Sequence, residues 1–233
     1  MTPALPLPSQ HWHTAQRELM CHVGKSMFDR GYVHATAGNM SVRVPREHGG
    51  GLLITPTDAC LGWMEAGDIV WLDAQLQALT PGRASKSVHL HQQIYGADPD
   101  AHCIIHTHST HLVAMSLRSP GVTGDDLLPP ITPYFVMKVG HVPRIAYRRP
   151  GDPAVGALAA QVIQAARTKG RQLHALMLDR LGPNVWHRDL RSALATLEEL
   201  EETARLCMLA GALPAPLDED QLDELRRYFG ASW

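Results

Sequence analysis

His106 and His108 close the apolar run Cys103-Ile104-Ile105, and Ser109-Thr110-His111 follow directly. An apolar run that ends in His-x-His predicts a buried strand reaching a mouth. Side chains alternate faces along a strand, so residues two apart point the same way. Two imidazoles can then be offered to one point in space, which is half of a metal site. The competing reading of each is a histidine that satisfies hydrogen bonds in the core.

Three loops of small and hydroxylated residues could bind an anion. Ala35-Thr36-Ala37-Gly38-Asn39-Met40-Ser41 enters a predicted strand, Thr55-Pro56-Thr57-Asp58 leaves another, and Arg83-Ala84-Ser85-Lys86-Ser87 precedes a predicted helix. Small residues let backbone approach a ligand, and helix N-termini present N–H groups to phosphate. Each loop alone is compatible with a plain turn. Taken together with Lys86, they predict a phosphate pocket. Neither GxxxxGK[ST] nor GxGxxG occurs, so nucleotide folds are unsupported.

The elements that must position these residues follow from periodicity and punctuation. Residues 1–9 read as a loose proline-rich arm and 10–233 as one domain. Helical spacing of Trp12, Ala15, Leu19, Val23 and Met27 predicts a helix from Gln10 to Arg30. Strands are expected over Met40–Val44, Leu52–Thr55, Ile69–Leu72, Cys103–Thr107 and His174–Leu178. Helices are expected over Ser87–Tyr95, His108–Leu117, after Pro153, from Leu190 to Ala210, and over Asp218–Phe229. Glu198, Glu199, Glu201 and Glu202 read as a solvated face of the long helix. Pro120 to Pro133 is a long loop, a length often functional, and the apolar Leu127, Leu128, Ile131 and Phe135 are expected to need a partner subunit to cover them. Strands interleaved with helices indicate a layered α/β/α domain.

Composition narrows the function classes. At 233 residues, 45% hydrophobic and 19% charged, the chain can bury a substantial core and is not disordered. A net charge of -2 gives no basic footprint for nucleic acid. Cys21, Cys60, Cys103 and Cys207 are far apart and form no CxxC pair, as in a reduced cytoplasmic protein. No apolar run approaches the roughly 20 residues that span a bilayer. The expected partner is a small molecule, not nucleic acid or membrane.

Together these segments resemble the class II aldolase/adducin family. The resemblance rests on Ala37-Gly38-Asn39-Met40-Ser41, Leu53-Ile54-Thr55-Pro56-Thr57, Ser85-Lys86 and His106-Thr107-His108-Ser109-Thr110-His111, in matching order over roughly residues 12–212. Ile131–Met137, Tyr147–Asp152 and Leu197–Ala204 are most similar to the branch of 3-oxo-tetronate 4-phosphate decarboxylases. That resemblance implies a three-layer α/β/α fold with a central, mainly antiparallel sheet of nine strands. It also implies a homotetramer with a zinc site in a cleft between subunits. By the same resemblance, Gly38, Asn39, Ser41, Thr57, Ser85 and Lys86 would bind the phosphate of a sugar acid. Lys86 and Tyr134 would be catalytic, Tyr134 as a proton donor or else as a packed loop aromatic.

Two positions depart from the family pattern. Its zinc is held by three histidines, with a glutamate as acid/base and occasional ligand. His106 and His108 match two of them, but Ser87 stands at the glutamate position and Leu181 at the third histidine. A divalent metal, zinc in the family, is therefore expected to bind weakly. His141, Asp179 and Asp58 are the remaining candidate donors, His141 first, with a structural role as its alternative. Asp58, where relatives commonly carry glycine, would repel a phosphate. The implied activity is decarboxylation to dihydroxyacetone phosphate. The alternatives are an aldolase or epimerase of the same fold, or a metal-depleted binding or assembly protein.

Overall fold

The structure is a computed structural model that describes residues 8–118 and 121–233. Most of the expected arm (1–7) and Pro120 lie outside the described residues, while Pro8 and Ser9 already belong to the first helix. In chain order the elements are α1 (Pro8–Asp29), β1 (Asn39–Arg43), β2 (Leu52–Ile54), β3 (Val70–Leu72), α2 (Val88–Ala97), β4 (Cys103–His106), α3 (Thr110–Arg118) and α4 (Pro133–Lys138). Then follow β5 (Arg144–Ile145), α5 (Ala154–Thr168), β6 (Ala175–Leu178), β7 (Gly182–His187), α6 (Leu190–Leu209) and α7 (Glu219–Phe229).

One seven-stranded sheet, ordered β3-β2-β1-β4-β7-β6-β5, runs through the described residues. The resemblance implies nine strands. All neighbours are antiparallel except β5 and β6. Period-two alternation divides the core into two layers. Leu53, Ile105, Met177 and Val185 pack with Met20, Val23 and Met27 of α1 and Leu197 and Leu200 of α6. Ile54, Ile104, Leu176 and Trp186 pack on the other side with Val88 and Ile94 of α2 and Ala159 and Ile163 of α5. The result is the layered α/β/α arrangement with a mainly antiparallel sheet.

Strand β7 was not expected, because Gly182-Pro183-Asn184 are poor strand formers. Its pairing with β4 and β6 overrides that propensity, with glycine and proline kept to the strand start. Gly182 has φ +146°, and a Cβ there would meet the Thr107 carbonyl oxygen at 1.9 Å. The glycine thus permits the close approach that brings Pro183 alongside His106.

Two expectations about packing are corrected. Glu201 is not solvated but 4% exposed. One of its oxygens accepts the His111 N–H and Nδ1–H at 2.9 and 2.8 Å, and the other accepts the Leu112 N–H at 3.1 Å. The two backbone N–H groups are orphan donors of the first turn of α3, so the carboxylate caps a helix from a neighbouring one. Leu127, Leu128 and Phe135, expected to need a partner subunit to cover them, are buried within their own chain. Their loop pairs at Leu127 N–H with the Val142 carbonyl at 2.9 Å.

Candidate active site

The three small-residue loops converge. The Thr57 N–H donates to Arg83 O at 2.8 Å and the Ser85 N–H to Thr55 O at 3.1 Å, lacing the second and third loops together. Asn39 Nδ2 donates to Ser87 Oγ at 3.1 Å, which ties in the first. Lys86 is exposed on this rim, Thr57 is half-buried and Ser85 buried. Gly38, at φ +85°, has no room for a Cβ, which would lie 2.9 Å from His106 O. Ser41 does not join them. It is fully buried, and its hydroxyl engages His91 Nδ1 at 2.7 Å and Tyr95 at 2.9 Å beneath α2.

Asp58 sits in the left-handed region at φ +58°, a conformation that favours glycine. Its carboxylate lies 3.8 Å from Arg83, both side chains well exposed, so the pair contributes little energy.

The tautomer of His106 is fixed by a backbone neighbour. Its Nδ1 lies 2.9 Å from Pro183 O. A carbonyl only accepts, so Nδ1 carries the proton and Nε2 is left as a lone pair. Burial, then the neighbouring His108, pushes the His106 pKa down to about 4, so the ring is neutral at pH 7. The strand ends at His106, yet the His108 ring stays close, with centroids 5.1 Å apart. Burial, then His34, lowers the His108 pKa as well.

A row of polar side chains crosses the sheet here. Asn39 of β1 and Asn184 of β7 are the direct antiparallel partners of His106, so all three project from the α2 face. Asn184 is fully buried, with neither amide atom bonded to protein. Asn39 Oδ1 and His91 Nε2 are likewise buried without a protein partner. Burial, and then His106, lowers the His91 pKa to about 3. Sequence reasoning missed His91 and Asn184. The signals were the i+4 spacing of His91 from Ser87 and the position of Asn184 just past the Gly-Pro turn.

Do these residues fit a catalytic metal? Ser87 carries a hydroxyl already engaged by Asn39, and Leu181 packs into the apolar layer. Asp179 is in a buried ion pair with Arg144 at 2.8 Å. His141 precedes β5, whereas His106 ends β4; both strands run the same way and lie three positions apart in the sheet. His141 is thus at the opposite end and roughly 14 Å across, at about 4.8 Å per strand. Among the described residues no group of three or more His, Cys, Asp or Glu could hold a metal ion. The donors present make half of a site and do not fit the family's metal centre.

Tyr134, in α4, is 62% exposed and is not brought to the histidine pair within this chain. Among the described residues no helix is long and apolar enough to cross a membrane.

Comparison with known proteins places this geometry. Residues 18–208 match the model of the class II aldolase and adducin N-terminal domain. A Cupriavidus necator protein named 3-oxo-tetronate 4-phosphate decarboxylase is 45% identical, with 93% of this chain and 97% of that one covered. A protein of the same name from Pectobacterium atrosepticum is 40% identical, with 84% of each chain covered. The crystal structure of YgbL from Klebsiella pneumoniae superposes with a TM-score of 0.79 at 36% identity, covering 95% of this chain and all of that one. Further relatives are named aldolases, so both kinds of carbon–carbon lyase are represented. The chain belongs to the class II aldolase and adducin family, among its lyases.

Proposed function

We propose that this lyase acts on a small phosphorylated sugar acid, decarboxylating a 3-oxo-tetronate 4-phosphate to dihydroxyacetone phosphate. The observation that carries this reading is the convergence of three laced anion loops and Lys86 beside a neutral His106–His108 pair. The relatives named for that reaction support the choice of substrate.

In a 3-oxo acid the bond to the carboxylate breaks with its electron pair passing to the carbonyl oxygen. Carbon dioxide leaves, and the resulting enediolate takes a proton at the carbon that lost it. Such a step needs no base, which accommodates Ser87 where an aldolase would need a glutamate. It does need hydrogen-bond donors where charge develops. A neutral His108 can donate there, and Lys86 adds a fixed positive charge with Thr57 and Ser85 around the phosphate. Tyr134, reaching the site from a second copy, would protonate the enediolate. On this reading the active unit is a homotetramer with sites between subunits, located in the cytoplasm.

Among the described residues a zinc ion would find His106 and His108 but no group of three donors, although the His34 ring lies 6.4 Å from that of His108. If the ligands of a structural zinc site share about 10–16 kcal/mol equally, two of four give about 5–8 kcal/mol. That corresponds to a dissociation constant of roughly 1–200 µM. The steps above are therefore assigned to protein groups.

The test supplies 3-oxo-tetronate 4-phosphate and measures both products. Stoichiometric carbon dioxide and dihydroxyacetone phosphate are expected. Release of an aldehyde would favour the aldolase reading. The losses at positions 87 and 181 favour a non-catalytic binding protein, and binding without turnover would establish that instead.

A further inference from the structure

His141 stands apart from the histidine pair, and its surroundings form a second pocket. Its Nδ1–H donates to Asp126 Oδ2 at 2.7 Å, while Asp126 Oδ1 accepts the Val142 N–H at 2.9 Å. The ring stacks on Trp233, with centroids 4.3 Å apart and planes 16° from parallel. The side chain is 9% exposed, and Nε2 is buried with no protein partner. Because a carboxylate accepts, Nδ1 holds the proton and Nε2 is a lone pair lacking a donor. His141 lines a cavity of about 300 Å³, a size at the small end of ligand sites. Lys169 and Arg171, both exposed beyond the C-terminal end of α5, form its cationic side, and Val162 and Leu173 its apolar wall.

We propose that this pocket binds a small hydroxylated organic anion, with its phosphate or carboxylate on Lys169 and Arg171 and a hydroxyl donating to His141 Nε2. The Arg171 fork and the Lys169 point charge suit a polyoxygen anion. Asp126 lines the same pocket, and its two oxygens face His141 and the Val142 N–H, so the anion must be held by the two cations against that charge. An organic guest outdoes inorganic phosphate because only it spans both the cations and the buried lone pair, which is costly to leave empty. The pocket is at the far end of the sheet from His106 and does not depend on the decarboxylase reading.

Trp233 supplies the readout, because its ring rests on His141. Fluorescence is titrated with glycerol 3-phosphate, glycerate and inorganic phosphate, and a Trp233→Phe variant identifies the signal. A saturable change is expected with one of the first two, and which of them binds tighter distinguishes phosphate from carboxylate. Inorganic phosphate should bind roughly tenfold more weakly, the loss expected for one missing contact. The double variant Lys169→Met/Arg171→Met alters only exposed side chains and should abolish the response. His141→Asn should erase the preference for hydroxylated anions, while Lys86→Met should change nothing. No saturable response at millimolar ligand would overturn the proposal. So would a response that survives the double variant, or one lost in Lys86→Met.

Discussion

The two ends of the segment from His106 to His111 are held in opposite ways. At the His111 end, the buried Glu201 carboxylate accepts three donors, and among the described residues no side-chain atom of His111 or Glu201 is left buried without a partner. At the His106 end, Asn39, His91 and Asn184 leave buried polar atoms without protein partners. Native proteins satisfy nearly all buried polar groups, so a cluster of exceptions marks a place selected for something other than stability. The satisfied end is scaffold, fixing where α3 begins. The unsatisfied end is where a ligand, water or ion belongs.

Acid should expose this contrast most strongly. His91 and His106 have folded pKa values of about 3 and about 4, below the 6.5 of an unfolded histidine. The unfolded chain therefore binds more protons between those values, and stability falls as pH drops through that window. At up to about 1.4 kcal/mol per unit for each group, the loss between pH 6.5 and about 4.5 is of order 4 kcal/mol. Chelator-treated protein, unfolded in urea at a series of pH values, should show it. A flat profile there would mean the two imidazoles are not buried neutral.

Removing the cap comes next. Glu201→Ala should cost about 3 kcal/mol, because two N–H groups of α3 and the His111 ring lose their acceptor. Urea unfolding measures this, and a loss below about 0.5 kcal/mol would mean that water replaces the carboxylate.

Asn184→Leu should move stability the other way. Replacing two unpartnered buried polar atoms with apolar ones should raise ligand-free stability by about 1 kcal/mol. A fall of that size would show that ordered water already satisfies Asn184, and the contrast between the two ends would collapse.

The smallest change in stability is expected at exposed Lys86. Lys86→Met should leave the melting temperature nearly unchanged while raising KM about tenfold, equivalent to about 1.4 kcal/mol of binding. An unaltered KM would remove Lys86 from the substrate site.

Much of this was legible in the sequence. The apolar run of Cys103–His106, buried throughout, and helical spacing in α1 and α6 are local signals, which the layered fold preserves. The convergence of the Thr57, Ser85 and Asn39 loops was readable from residue type. What was hidden depends on contacts between distant segments. Ser41 reads as a loop hydroxyl until α2 packs over it and its neighbours His91 and Tyr95 claim the oxygen. Glu201 lies in a run with the half-buried Glu198, Glu199 and Glu202, and only the docking of α3 on α6 buries it fully. Asn184 acquires meaning from strand register, which places it opposite His106. His141, a ligand candidate by residue type alone, is carried by the sheet order to the other end of the molecule.

Among the described residues, the His106 end offers two histidine donors and no group of three that could hold a metal. Zinc affinity, measured by competition with a chelator for the parent chain and for Ser87→Glu/Leu181→His, tests it most directly. The parent should bind in the micromolar range or weaker, roughly 1–200 µM, and the double variant at least about 100-fold more tightly. Nanomolar binding by the parent would overturn this two-donor site, since a third ligand would then have to exist.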